Sequence, residues 1–308
     1  MVLDTLASTM TAPGSRLRQD NEPILERALI FCAPIPALAF GVTAMRHGGV
    51  PARAWMVNVA AAVAGLLLLI TVARISRPTT RRTQFALAAA GIVMILLPFT
   101  ASGADGVYRW LWLGPVSIHA SSIAAPLIIA SVAAIAPARL VAAVAIAALA
   151  TTALALQPDA AQATSLAAAC CTLIMFDSAK RRVQASVGVM LLVGLAISSF
   201  VRPDPLPAVP HVEGILTLLA IRGTEWRAIG TATLLLLPLP FFVMFRRRGD
   251  RTSFALGVYA ALITLAPFWG TFPVPIMGYG VSPIIGYFIA LALSTQTPAR
   301  TPHFIVSA

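Results

Sequence analysis

The chain is 308 residues long, 58% apolar, and carries 22 basic against 11 acidic side chains, a net charge of +11. Charged residues make up 11% of it and the mean hydropathy is +0.86, whereas a soluble domain carries about a quarter charged residues. These values exclude a water-soluble enzyme, a disordered protein and a disulfide-stapled secreted domain. They indicate a polytopic membrane protein built of helices, in which the position of each charge matters more than the sum. The positive charge therefore does not indicate nucleic-acid binding.

Ten apolar segments are predicted to span the bilayer, each near the length of about 20 residues that a spanning helix needs. In chain order they are 26–45, 54–73, 84–101, 120–137, 139–156, 162–177, 185–201, 229–245, 254–270 and 281–295. We expect residues 1–25 to form a polar tail, 26–295 a single membrane domain and 296–308 a second tail. The first 25 residues lack the basic-then-apolar pattern of a cleavable signal peptide.

The basic residues predict the orientation of these segments. With the N-terminus in the cytoplasm, the inward connections hold 16 Lys and Arg residues and the outward connections hold 6. The positive-inside rule therefore predicts that both termini are cytoplasmic. The longest connection, 202–228, then lies outside the membrane between segments seven and eight, and its apolar stretch 212–221 is expected to dock on the membrane domain.

Three short stretches on the predicted outer face combine polar, aromatic and turn residues. They are 109–115 (Arg-Trp-Leu-Trp-Leu-Gly-Pro), 157–159 (Gln-Pro-Asp) and 275–282 (Pro-Ile-Met-Gly-Tyr-Gly-Val-Ser). Ionisable groups beside an apolar span are costly and are functional candidates by default. Each stretch also has a structural explanation, because Trp and Tyr anchor helices at the interface and Gly and Pro form turns.

In their order and spacing, these stretches resemble the SEDS family, the FtsW/RodA/SpoVE-like polymerases of peptidoglycan glycan strands. That family has an Arg-Trp…Leu-Gly-Pro stretch after the third span, Gln-Pro-Asp after the fifth, and Pro-Phe-Ile-Ser-Tyr-Gly-Gly-Ser before the tenth. The resemblance covers roughly residues 83–295. It implies an all-α fold of about ten transmembrane helices with a long extracytoplasmic loop between helices 7 and 8.

This sequence also departs from the family pattern. Ser122 and Ala125 stand where the family has a Glu and a Lys one helical turn apart, and the last stretch has Gly278 and Val281 in place of a Ser and a Gly. The loss of both members of this oppositely charged pair is chemically consistent, because one charge left alone in low dielectric would be costly. These departures identify a divergent member.

The resemblance implies glycosyl transfer from lipid II, an undecaprenyl-pyrophosphoryl disaccharide-pentapeptide, onto a growing glycan strand. Aligning His211 with the family's His makes Glu213 the catalytic base, and Asp159 is the second catalytic carboxylate. An ungapped alignment would instead place Leu216 at the family's catalytic Asp. The expected substrate-binding residues are Arg109, His119, His211, Gln157, Tyr279 and Ser282.

Simpler roles stay open for the three charged residues that matter most. Glu213 could be a solvated loop carboxylate, Arg109 an interfacial anchor, and Asp159 the cap of the helix that starts near Ala160. No metal-binding motif is present, and Asp159 is either a positioning residue or part of a divalent-cation site.

The expected location is the bacterial cytoplasmic (inner) membrane, and the expected partners are lipid II, the lipid bilayer and a class B penicillin-binding protein, with no nucleic acid. Two other functions compete with the polymerase. One is a catalytically degenerate SEDS-like protein that binds a lipid-linked sugar or scaffolds a cell-wall partner. The other is a small-molecule transporter, which the lack of similarity between 26–156 and 162–295 disfavours.

Overall fold

The computed structural model describes residues 28–75, 80–114, 116–176, 181–202 and 204–296. The tails expected at 1–25 and 296–308 lie outside these ranges, except for Gln296, and so does Pro115. The elements are α1 (Pro34–His47), α2 (Ala52–Arg74), α3 (Arg81–Leu96), β1 (Trp110–Leu113), β2 (Val116–His119), α4 (Ala120–Ile135), α5 (Leu140–Leu156), α6 (Ala160–Phe176), α7 (Arg182–Ser198), α8 (Ile215–Ala220), α9 (Thr224–Leu234), α10 (Leu239–Arg248), α11 (Arg251–Leu265) and α12 (Val281–Gln296).

All ten predicted spans coincide with apolar helices. Five helical segments are long and apolar enough to cross a membrane: Ala28–His47, Ala52–Arg74, Arg81–Thr100, Thr224–Arg248 and Arg251–Phe268. Five shorter apolar helices, of 10–17 residues, are α4, α5, α6, α7 and α12. The protein is a multi-pass helical membrane protein.

The eighth predicted span differs from a single helix over 229–245. It begins earlier, at Thr224, and a turn separates α9 from α10 because Pro238 and Pro240 cannot donate backbone hydrogen bonds. The Leu237 carbonyl, which lies in this turn, accepts a 2.9 Å hydrogen bond from the Tyr287 hydroxyl on α12. A neighbouring helix thus satisfies the backbone at this break.

The predicted long loop 202–228 is also partly helical. Its apolar residues 215–220 form α8, which packs against α1 and buries Ile215, Leu216 and Leu219, as expected for a segment that docks on the membrane domain. A second addition to the all-α prediction is a hairpin, in which β1 pairs with β2 in antiparallel register from Trp110–His119 to Leu113–Val116. Its turn begins at Gly114, whose φ of +60° favours glycine.

Helix α4 lies at the centre of the bundle and contacts α3, α5, α6, α11 and α12. Glycines on two neighbouring helices allow those helices to approach α4 closely. A Cβ added at Gly286 on α12 would overlap the Ser122 carbonyl of α4, and a Cβ added at Gly91 on α3 would overlap the Ile128 side chain of α4. The hairpin, the N-termini of α4 and α6, and the connections 204–213 and 269–280 all meet at one end of this bundle. That end carries the polar cavity described next.

Candidate functional site

A cavity of about 280 Å³, here called the polar cavity, opens between the hairpin, α6 and the connections before α8 and α12. Seven of the eight residues expected at the site line it: Arg109, His119, Asp159, His211, Glu213, Tyr279 and Ser282. The eighth, Gln157, is buried and donates from Nε2 to the Ile95 carbonyl at 2.6 Å, so its side chain joins the α5–α6 corner to α3. Residues from four separate parts of the chain therefore converge at the cavity.

Arg109 is only 4% exposed and its guanidinium is held on three sides. Nε donates to the Gln157 carbonyl at 3.2 Å, one Nη donates to the Pro158 carbonyl, and the other forms a 2.7 Å ion pair with Asp204. The planar guanidinium suits this fixed fork of acceptors. Arg109 thus ties the start of the hairpin to the α5–α6 corner and to the 204–213 connection, with its charge balanced by Asp204.

Asp159 both caps α6 and faces the cavity. Its Oδ1 accepts the Gln162 N–H at 3.3 Å, as a helix cap does, while Oδ2 lies 3.2 Å from His119 Nε2 and accepts the Ser121 hydroxyl at 3.2 Å. The two sequence-based roles, cap and site residue, are therefore combined in one carboxylate. The carboxylate is 4% exposed.

The pKa of the Asp159 carboxyl lies below its usual value. Burial acts to raise this pKa, but the hydrogen bond and charge of His119, the charge of Arg109 and the Gln162 N–H together outweigh burial. The carboxylate is therefore ionised at neutral pH, as a group stabilised by donors and cations should be.

A chain of hydrogen bonds runs from Asp159 into the bundle. His119 Nδ1 lies 2.8 Å from the Ser122 hydroxyl, which accepts from Gln162 Nε2 at 3.2 Å, and Gln162 Oε1 accepts the Tyr259 hydroxyl at 2.7 Å. Ser122 thus joins a network of neutral and ionisable groups at the position where the family resemblance suggested a lost carboxylate. Buried polar groups satisfied in this way hold one defined arrangement.

Glu213 lies in a tight turn that faces the cavity. Its Oε2 accepts the Val209 N–H at 2.8 Å, and its own N–H donates to the Val209 carbonyl at 3.1 Å. The side chain is half-buried, and Oε1 is not used in that turn. The turn therefore fixes the position of the carboxylate at the wall of the cavity.

The 274–282 connection completes the opposite wall. The Tyr279 N–H donates to the His211 carbonyl at 2.8 Å, and the two rings meet edge to face at 5.7 Å. The Ser282 hydroxyl accepts the His119 N–H at 2.8 Å, which places the start of α12 against the hairpin. His211, Tyr279 and Ser282 thus have defined positions in a cavity wall built from three segments.

A divalent cation does not fit the groups found here. No cluster of three or more His, Cys, Asp or Glu side chains occurs among the described residues. The Asp159 oxygens already receive hydrogen bonds from Ser121, His119 and Gln162. No step of the chemistry below uses a metal ion.

Several residues of this network were not predicted as site residues from the sequence. Asp204, Gln162 and Tyr259 belong to it. Asn58, a fully buried amide in the otherwise apolar α2, instead bonds the backbone of Gly278 and Gly280 beside the cavity. Asn58 could have been selected from the sequence, because it is the single side-chain amide in a span of 23 residues and an unsatisfied polar group is costly there. The pairing of Asp204 with Arg109 had no comparable signal, because the two residues are far apart in the chain.

Comparison with solved structures shows the same fold in proteins of low sequence identity. Rod shape determining protein RodA of Thermus thermophilus matches with a TM-score of 0.64 and 19% identity over 87% of this chain and 95% of that chain. An Asp-to-Ala mutant of that protein gives 0.65 and 20% over the same shares. A chain from a peptidoglycan synthase complex that coordinates polymerization and crosslinking gives 0.65 and 17%, over 87% and 96%.

Sequence comparison leads to the family. No protein of curated function matches the chain significantly. The model of the FtsW/RodA/SpoVE cell cycle protein family matches residues 30–205, which is more than half of the chain. The chain belongs to this family, which is the SEDS family that its sequence stretches resemble.

Proposed function

We propose that this protein polymerises peptidoglycan glycan strands from lipid II at the outer face of a bacterial cytoplasmic membrane. The convergence of one arginine, three carboxylates and two histidines on a single cavity carries the proposal. Membership of a cell cycle protein family and a fold shared with a rod shape determining protein and a peptidoglycan synthase chain support it.

The cavity offers the groups that glycosyl transfer needs. A sugar hydroxyl of the growing strand attacks the anomeric carbon of lipid II, the bond from that carbon to the pyrophosphate breaks, and the hydroxyl proton moves to a base. The base must lie within hydrogen-bond reach of that hydroxyl. Glu213 is the proposed base, because its carboxylate lies at the wall of the cavity. Undecaprenyl pyrophosphate leaves with the electron pair of the broken bond.

Arg109 is the proposed source of positive charge for the departing pyrophosphate. In the present arrangement it is paired with Asp204, so an arriving pyrophosphate would compete with Asp204 for the guanidinium. Asp159 is the second proposed carboxylate and positions His119, while His211, Tyr279 and Ser282 are proposed to contact the sugars or phosphates. The expected partner is a single-span class B penicillin-binding protein that crosslinks the product.

A second function, binding of a lipid-linked sugar without catalysis, has one observation in its favour. The charge of Arg109 is already neutralised by Asp204 at 2.7 Å, as in a structural ion pair. Such a protein would hold lipid II and recruit a cell-wall partner. The assay that follows separates the two functions.

Purified protein, alone and with a class B penicillin-binding protein, is incubated with fluorescent lipid II, and glycan strands are resolved on a gel. Glu213→Gln keeps the size of the side chain and an oxygen acceptor for Val209, so the fold is preserved while the base is lost. We expect polymer formation to fall by about 10²- to 10⁴-fold. Glu225→Gln on α9 is the matched control, because Glu225 is exposed, and it should retain activity.

Unchanged polymerisation by Glu213→Gln would refute the role given to Glu213. Saturable lipid II binding without polymer under every partner condition would establish the binding function instead.

A further inference from the structure

Asn58 joins the second span to the wall of the polar cavity. It is fully buried in α2, and both atoms of its amide are engaged with the backbone of the connection before α12. Nδ2 donates to the Gly278 carbonyl at 2.9 Å, and Oδ1 accepts the Gly280 N–H at 3.0 Å. A buried amide is tolerated in an apolar span only when it is satisfied in this way.

The connection that Asn58 holds is irregular and strained. Ile276 has a φ of +64°, which a β-branched residue rarely adopts, and Gly280 has a φ of +155°. Such conformations persist only when the surrounding structure imposes them. Helix α1 provides a second support, because a Cβ at Gly41 would overlap the Met277 carbonyl.

The same connection carries the turn that holds Glu213. The Tyr279 N–H donates to the His211 carbonyl at 2.8 Å, and the Val274 N–H donates to the Val212 carbonyl at 3.4 Å. Contact is also close at Gly278, where an added Cβ would lie 2.7 Å from the Val212 carbonyl oxygen. The position of the 209–213 turn therefore depends on the position of residues 274–280, and through them on Asn58.

We propose that Asn58 is a positioning residue of the polar cavity: its amide clamps Gly278 and Gly280, and this clamp sets the placement of His211 and Glu213. Asn58 itself does not line the cavity and touches no substrate. The inference deepens the proposed function and rests on it for its effect on catalysis, whereas the clamp itself can be tested without any turnover.

The test uses the full chain, with the three native cysteines replaced by Ala and a reporter thiol placed by Tyr279→Cys. Asn58→Leu removes both hydrogen bonds while keeping the number and branching of the side-chain heavy atoms. Leu69→Ala is the control, because Leu69 is a buried side chain of the same helix, 1% exposed, and reports general loss of packing. Asn58→Asp keeps the acceptor for Gly280 but loses the donor to Gly278, and serves if Asn58→Leu does not fold.

We measure the rate at which a polar maleimide labels the thiol. Asn58→Leu should raise this rate by about tenfold or more, because the connection before α12 loses two buried hydrogen bonds and opens more often. Asn58→Asp should give an intermediate rate. Leu69→Ala should leave the rate within about twofold of the parent protein, since only the bundle packing has changed. Equal labelling of the parent, Asn58→Leu and Asn58→Asp proteins, or an equal rise in Leu69→Ala, would overturn the clamp.

Turnover supplies the second measurement. In the lipid II assay without the reporter thiol, Asn58→Leu should lower kcat by about tenfold and change KM by a smaller factor, because displacing the base slows the chemical step more than displacing His211 and Tyr279 weakens binding. A change confined to KM would assign Asn58 to substrate binding and reject the positioning role. If the parent protein makes no polymer, the proposed function fails, and the labelling rates still decide the clamp.

Discussion

Asp159 has two structural positions at once, because it caps a helix and lines the polar cavity. It caps α6 through the Gln162 N–H and holds His119 and Ser121 at the wall of the cavity. Its pKa is lowered although burial opposes this, so the carboxylate is charged in the folded protein at neutral pH. The Ser121 hydroxyl and the Gln162 N–H donate hydrogen bonds to this carboxylate, and His119 Nε2 lies 3.2 Å from it.

Asp159→Asn is predicted to destabilise the protein at neutral pH by about 1–3 kcal/mol, because a buried charge-assisted network loses its anion. Because the folded-state pKa lies below its usual value, this stabilisation is fully present above the pKa of the unfolded chain, about 4, and is lost as pH falls through the folded-state pKa. Thermal unfolding in detergent between about pH 7 and pH 3 measures it. The difference between parent and variant should shrink at the acidic end.

Asp105→Asn provides the control for that experiment. Asp105 is exposed in the connection before the hairpin and has a φ of +49°, which Asn also tolerates. Its unfolding temperature should match that of the parent protein across the pH range. A stability difference for Asp159→Asn that grows towards low pH would contradict the role assigned to the ionised carboxylate.

At the scale of the elements, glycine decides how closely the helices can pack. Gly286 on α12 faces the Ser122 carbonyl on α4, and there is no room for a Cβ between them. At Gly194 on α7, no other helix or loop among the described residues comes within 4 Å of the place where a Cβ would be. Two glycines in apolar helices therefore have opposite expected responses to the same substitution.

Gly286→Ala is predicted to destabilise the protein by about 1–3 kcal/mol, because the added methyl group forces α12 away from α4. Gly194→Ala should be neutral or stabilising by up to about 1 kcal/mol, because Ala is the better helix former and nothing obstructs it. Thermal unfolding of both variants in one detergent makes the comparison. A loss of equal size in both would mean that the α4–α12 contact is not the cause.

For the whole molecule, the distribution of arginine separates the two ends of the bundle. The end away from the cavity carries Arg74, Arg81, Arg82, Arg139, Arg181, Arg182, Arg246, Arg247, Arg248 and Arg251. The cavity end carries Arg46, Arg53, Arg109, Arg202, Arg222 and Arg227, of which Arg109 is buried. The positive-inside rule therefore predicts that the cavity faces away from the cytoplasm.

Thiol labelling in intact bacterial cells tests this orientation, in a protein whose native cysteines are replaced by Ala. A membrane-impermeant reagent should label Asp105→Cys at the cavity end in whole cells. It should label Thr252→Cys, at the start of α11, only after the cells are permeabilised. The reverse pattern would place the cavity in the cytoplasm and exclude polymerisation of a strand outside the membrane.

Much of the fold could be predicted, because the transmembrane helices follow from the order of apolar and polar segments in the sequence. Every predicted span coincides with an apolar helix, since no other backbone conformation except a closed barrel satisfies itself in lipid. The break between α9 and α10 was missed, although Pro238 and Pro240 mark it, because the segment remains apolar on both sides. Helix α8 within the predicted loop was not predicted as a helix, because an apolar stretch of six residues is too short to show a helical period.

The candidate site was predicted less completely. The stretches 109–115, 157–159 and 275–282 contribute residues to the polar cavity, and they could be selected from the sequence because charged and turn residues are conspicuous beside apolar spans. The hydrogen-bond and ion-pair partners of those residues could not be predicted from the sequence. Asp204 holds Arg109, Asn58 holds Gly278, and Gln162 links Ser122 to Tyr259, each across a large separation in sequence.

The sequence by itself determined that this protein lies in a membrane, how its spans are ordered, which family it belongs to and which end of the bundle is less basic. These properties depend on composition and local order, because lipid exposure and positive charge act on each segment separately. Only the tertiary structure decided that Arg109 is neutralised by Asp204, that Asp159 serves both α6 and His119, and that Asn58 supports the cavity wall. Hydrogen bonds and ion pairs of this kind depend on distances of about 3 Å between segments, and such distances arise only when the helices pack.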